Sequence, residues 1–373
     1  MQLCPGRETA VHSFNFMKPT LFAVLITLSI FFGSISTLAF ETDQYNLPPV
    51  PLADIGDEVS GYVEGHLMGA VARVNSEIDK NVNCLETKTT GCRSSESHRQ
   101  RLIYLRSNDA IAHAFFAAVG DGNVFTTKFG NWMREHKFRS QPDRYKTTLA
   151  ESIFVLNLAD YLTLGATVRL FGAEFGIDKL EHIFQQGYKY YQIERAALVR
   201  CESPNEAVKK AVKWGQRTER TYYGILASGV YSNADLYANY VGMRFYQGFT
   251  RPLQINGKMR PAIVHLNKGS WNIDPAAIRL TFLKPFLTDH LNEAFNPSAF
   301  RFTLVRSVRR AVKKYGCPDW RQAYPDLTQM AMATHSKSLE MWNGEDYGHT
   351  KRSRIVRLSE LCFDSKDNQT HRQ

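Results

Sequence analysis

Between Asp57 and Asn81 the apolar residues Val59, Val63, Leu67, Ala70, Val71, Val74 and Ile78 recur every three or four positions. That spacing is the period of an α-helix with one buried face. Such a face must be covered by other elements, so the chain needs further helices or a sheet to pack against it. Helical patterning continues through RLIYLRSNDAIAHAFFAAVG, which ends at Gly120 and Gly122 as helices commonly do, and again around Val124 to Glu135. After Pro142 a long apolar segment from about Lys146 to Phe171 carries Glu151, Asp160 and Arg169, and reads as a core helix of a soluble bundle rather than a membrane span. Three more helices are expected at about Ile177 to Val199, Asn205 to Ala227 and Ser232 to Phe249, punctuated by Gly172, Gly176, Pro204 and Gly229.

The character changes after Thr250. Asn256-Gly257 favours a type I′ turn and a small hairpin, and AIVHLNKGSWNI reads as a further strand. Helices then resume near Pro275 to Ala294 and Pro297 to Tyr315, with Ser298 of AFNPSAF expected to cap the second. The fold class expected is mainly α: a helical bundle over 56–250, with a mixed hairpin and helical region over 251–365 packed on it. Residues 366–373 read as a disordered tail.

Residues 21–39, LFAVLITLSIFFGSISTLA, contain no charge, follow Lys18 and end in small residues. This is the layout of an export signal cut after about Ala39, with an uncleaved membrane anchor as the alternative. Met17 is an alternative start to Met1. Residues 40–55, FETDQYNLPPVPLADI, read as an extended leader. The expected location is therefore periplasmic or extracellular, where disulfides persist. Cys84 and Cys92 enclose a short polar loop that a bridge would staple. Loss of Cys4 with the signal leaves an odd total, which implies one thiol unpaired or bonded to another chain.

The formal charge is +10, and its basic residues are scattered apart from RSVRRAVKK (306–314) and KRSRIVR (351–357). These runs read as solvated faces and a loose tail; peripheral contact with an anionic membrane is compatible with them, and nucleic acid is not expected as a partner. No specific protein partner is inferable.

Polar residues in otherwise apolar helices carry the candidate chemistry. Asp178 and His182 lie one helical turn apart in GIDKLEHIFQQGY, so a carboxylate can orient an imidazole. Asp109 and His113 have the same spacing with no further site-like residues nearby, so the pair alone is weak evidence. Downstream come Glu219 in an aromatic segment and GVYSNADLYANYVG, which carries Ser232, Asp235, Asn239 and Gly242. Ser232 with Asp235 reads as a capping box. Asn239 is a poor helix former that needs a partner if buried, and Gly242 points to close approach of another helix.

The order Asp178-Lys179-x-x-His182, then Glu219, then Ser232-x-x-Asp235-x-x-Ala238-Asn239-x-x-Gly242 resembles the pattern shared by VanZ-like proteins and the YfiM-type lipoprotein family. The resemblance covers about residues 176–246. Because charges such as Lys209, Lys210, Lys213 and Arg217 interrupt the helices, the exported, non-spanning YfiM-type branch is the closer one; its activity is not established.

Brought to one focus, Asp178, His182, Glu219, Asp235 and Asn239 would force a carboxyl to hold a proton or would hold a cation. On the enzyme reading, His182 oriented by Asp178 is the general base, Asn239, Ser232 and Lys179 contact substrate, and Glu219 with Asp235 binds a divalent metal or the substrate's polar group. The substrate would be an envelope lipid or glycan. Lys179 could instead neutralise the acids without metal, in which case the same residues lock helices together. Tyr188, Tyr190, Tyr191, Tyr222, Tyr223, Tyr237, Tyr240 and Tyr246 would line a groove or, as is commoner at helical spacing, fill the core.

Overall fold

The computed structural model describes residues 41–87, 95–122, 127–279 and 282–363. The expected export signal, Cys92, Val124 and the tail expected from 366 lie outside the described residues. The architecture is mainly α with small two-stranded antiparallel sheets, and no described helix is long and apolar enough to cross a membrane.

Helix α1 (Gly56–Thr87) buries the residues its periodicity picks out, from Val59 to Ile78. The next segment forms two helices, α2 (Ser95–Leu105) and α3 (Asn108–Val119), where one was expected. The Ser107 hydroxyl donates back to the Tyr104 carbonyl and Ser107 takes extended dihedrals, so the chain breaks there before restarting on Asn108-Asp109. Helix α4 (Lys128–Glu135) follows, capped by Thr127.

The long helix expected over Lys146 to Phe171 does not form. Turns lead to a short α5 (Leu158–Leu162) and a hairpin of β1 (Thr167–Leu170) and β2 (Ala173–Gly176). Its apolar run contains Gly165, Thr167 and Val168, which weaken a helix locally, and the leader supplies the competing partner. Gly165 donates to the Glu41 carbonyl at 2.7 Å and Ile55 donates to the Arg169 carbonyl at 3.0 Å, so the leader touches this segment at its two ends. Asp54 fixes the hairpin turn by accepting from the amides of Phe171 and Gly172. The leader is irregular, with bends, rather than continuously extended, and Glu41 to Asn46 are all buried. Tyr45 is wholly enclosed, donating to the Val356 carbonyl while its own carbonyl accepts from the Trp320 indole.

From Ile177 the chain is helical to Val199: α6 (Ile177–Glu181), one π-helical turn (His182–Gln186) and α7 (Gly187–Val199). Helix α8 (Pro204–Arg220) begins at the Ser203 cap and stops seven residues short of the expected end, because Thr221 to Ser228 fold into successive turns around Gly224. Strand β3 (Val230–Tyr231) leads into α9 (Asn233–Gly248). This helix is not amphipathic in its surroundings: every residue but Arg244 is buried. It packs on α7 and on the π turn at the closest possible distance, since a Cβ on Gly242 would lie 2.3 Å from the Ile183 carbonyl oxygen and one on Gly187 would lie 2.5 Å from the Gly242 Cα. Gly242 is thus a helix-contact glycine, as its position in the sequence implied.

The Asn256-Gly257 hairpin forms from β4 (Leu253–Ile255) and β5 (Lys258–Arg260), with both turn residues at positive φ. The single further strand expected in AIVHLNKGSWNI is a second hairpin, β6 (Val264–Asn267) and β7 (Ser270–Ile273), turning on Lys268-Gly269. Of the helix expected over Pro275 to Ala294 only two 3-10 turns are found among the described residues, Lys284–Phe286 and Asp289–Leu291. Asn292 closes the second by accepting from the amides of Ala294 and Phe295, a local bond that competes with helix. Ser298 caps nothing: the chain there enters β8 (Ala299–Phe300), which pairs with β3. The last helices are α10 (Val305–Ala311), α11 (Cys317–Ala323), α12 (Gln329–Ser338) and α13 (Leu358–Leu361). A Cys317–Cys362 disulfide joins the start of α11 to the end of α13, and no described cysteine is a free thiol.

Candidate functional site

The polar residues singled out in the sequence converge where α6, α9 and the segment after the second 3-10 turn meet. At the centre is Lys179, a fully buried side chain. Its ammonium donates to Asp178 Oδ2 at 2.6 Å, Asp235 Oδ1 at 2.6 Å and Glu293 Oε1 at 2.5 Å. An ammonium has three N–H groups, and each has a carboxylate partner. Burial by itself would lower the Lys179 pKa; the charges of Asp178, Asp235 and Glu293 outweigh it and hold the group well above its ordinary value.

A ring of buried groups completes the cluster. Asp178 Oδ1 accepts from the Thr42 hydroxyl at 2.7 Å. Ser232 caps α9 by accepting from the Asp235 amide, and its hydroxyl donates to Glu293 Oε1 at 3.2 Å. The reciprocal bond of the capping box is not made by Asp235, whose carboxylate is held by Lys179. Glu219, at the end of α8, takes that role by accepting from the Ser232 amide at 2.9 Å. Glu41 accepts from the Ser228 hydroxyl at 2.6 Å.

Five carboxyls therefore lie close to one lysine and one histidine, and their protonation divides. Burial, reinforced by neighbouring acids, pushes Glu41 and Glu219 well above the usual carboxylate range. Burial also pushes Glu293 up to about 7 despite the attraction of Lys179. Against the same burial, the charges of His182 and Lys179 hold Asp235 below its ordinary value.

Asp178 and His182 do not touch as expected; the orienting partner of His182 is Asn239, whose Oδ1 lies 2.9 Å from Nδ1. The Nε2 atom lies 3.6 Å from Asp235 Oδ2. Asn239 thus has the partner that its place in a helix required. Asp109, the comparison case, likewise ignores its i+4 histidine and accepts from the Tyr191 hydroxyl and Arg195. Tyr188, Tyr190, Tyr191, Tyr237, Tyr240 and Tyr246 are core side chains, whereas Tyr222 is exposed.

Oxygens of Asp178, Asp235 and Glu293 lie within 4.8 Å of one another, close enough to share a cation. The Lys179 ammonium already contacts all three, so this donor set fits a lysine and not a divalent metal. Of the two metal ligands expected from sequence, Asp235 belongs to this set and Glu219 does not.

Sequence reasoning missed Glu293, Glu41 and Thr42. Glu293 carried a signal, as the lone acid between Asp289 and Asp319. Glu41 and Thr42 carried none, since a polar, proline-rich segment reads as surface. Comparison of the chain with protein-family models, with curated proteins and with solved structures finds no match.

Proposed function

We propose that this is an exported, non-catalytic envelope protein in which the Lys179 cluster locks the leader, α6, α9 and the Glu293 segment together. The observation that carries the reading is the saturation of Lys179, whose three donors are all taken by carboxylates away from solvent. A general base must have a nitrogen free to receive a proton from substrate. Both nitrogens of His182 face acceptors of the protein itself, Asn239 and Asp235. The export reading rests on the apolar run over 21–39, and the envelope setting on the resemblance to VanZ-like and YfiM-type proteins.

The experiment is a pair of substitutions, His182→Ala and Asp235→Asn, followed by thermal melts and by metal analysis of the purified protein. A lock requires a clear loss of stability in Asp235→Asn and no stoichiometric metal in the wild type. A divalent ion present in the wild type and lost from Asp178→Asn, with melts unchanged, would reverse the reading. N-terminal sequencing of the exported protein is expected to begin near Phe40; an intact Met1 or Met17 would remove the cleavage claim.

A further inference from the structure

A cavity lined in part by the leader contains none of the residues of the Lys179 cluster. It is a cleft of about 1150 Å³ between the leader at Asn46 to Pro51, the β1–β2 hairpin, Asn292 and the segment from Lys314 to Tyr324. Its volume exceeds the range of roughly 300–1,000 Å³ usual for small-molecule pockets, so it suits an extended ligand.

Three features give the cleft its chemistry. Arg169 and Glu174 are cross-strand partners of the hairpin and both line it. The Arg169 Nε is buried with no hydrogen-bond partner among the described residues, a desolvated donor in a residue that lines the cleft. Tyr324 offers a ring that is 43% exposed, stacked on Trp320 at 5.2 Å between centroids and 23° between planes. Trp320 is itself anchored through its indole to the Tyr45 carbonyl at 2.9 Å, so the platform is set in advance. Charge decides the sign of the ligand: Glu151, Glu174, Asp289 and Asp319 outnumber Arg169 and Lys314, which disfavours an anionic polymer although the chain as a whole is basic.

We infer that this cleft is a binding site for an uncharged oligosaccharide, with Tyr324 stacking on a sugar face and Arg169 and Glu174 hydrogen-bonding its hydroxyls. A sugar ring presents an apolar C–H face together with hydroxyls that both donate and accept, which matches an aromatic platform beside a guanidinium and a carboxylate. The inference concerns a different part of the molecule from the Lys179 lock and stands without it.

The test is calorimetric titration of the full exported chain with uncharged tetrasaccharides of glucose and of N-acetylglucosamine, beside a lysine-rich peptide. Binding of at least one tetrasaccharide is expected, weakened roughly tenfold by Tyr324→Ala. Tyr324 is exposed, so that variant should melt with the wild type. Arg169→Lys keeps the charge but loses the planar fork, and should weaken binding several-fold. Failure of both sugars to bind, sugar binding indifferent to Tyr324→Ala, or binding of the peptide in their place would each overturn the inference.

Discussion

Replacing Lys179 by Met keeps an unbranched side chain of similar length in place while deleting the one ammonium that three buried carboxylates share. Breaking a buried ion pair by removing one partner costs about 3–5 kcal/mol, because the remaining charge is left unpaired. The carboxyls can escape part of that cost by taking up protons, and this gives the prediction its form. For each acid with an ordinary pKa near 4, holding a proton costs roughly 5 kcal/mol at about pH 8 and roughly 1.5 kcal/mol at about pH 5. The folded variant would then bind more protons than the unfolded chain, so its stability must fall as pH rises. Urea unfolding followed by far-ultraviolet circular dichroism should show a loss of about 3–5 kcal/mol near pH 8 and less than half of that near pH 5. A loss below about 1 kcal/mol at both values, or an equal loss at both, would refute the assignment of Lys179 as the neutralising centre.

The wild type should itself carry a milder pH dependence of the same sign. The folded pKa of Glu293 is raised from 4.5 to about 7, so its contribution is fully present below about pH 4.5 and is lost as pH rises towards 7, about 3 kcal/mol in all. Glu293→Gln should flatten this slope in pH-dependent unfolding. Gly242→Ala places a methyl group against the Ile183 carbonyl and should cost about 2 kcal/mol or more, read as a lowered urea midpoint. Thr42→Val removes the hydrogen bond to Asp178 and should cost about 1–3 kcal/mol, whereas a leader that merely lay on the surface would tolerate it.

Much of the helical scaffold was legible because its cause is local. The period of α1 picks out its buried face residue by residue, and Ser203-Pro204 and Ser232 mark helix starts through bonds made within one turn. Asn239 and Gly242 announced themselves by breaking local rules, an amide and a glycine inside a helix where neither belongs without a neighbour. Both have that neighbour, His182 and the π turn respectively.

What the sequence could not supply was the identity of partners distant along the chain. The segment from Lys146 to Phe171 has the composition of a helix, but its end pairs with β2, with Tyr145 and, at Gly165 and Arg169, with the leader, all of them partners outside a local helix. Asp178 and His182 have the spacing of a pair, yet Asp178 bonds its neighbour Lys179 and the distant Thr42, while His182 bonds Asn239 of α9. Periodicity and capping are properties of a few consecutive residues and were determined by the sequence alone. Which acid Lys179 neutralises, and that Glu41 and Glu293 join from either end of the chain, depends on burial and Coulomb energy summed over segments more than a hundred residues apart. Only the tertiary structure could decide that.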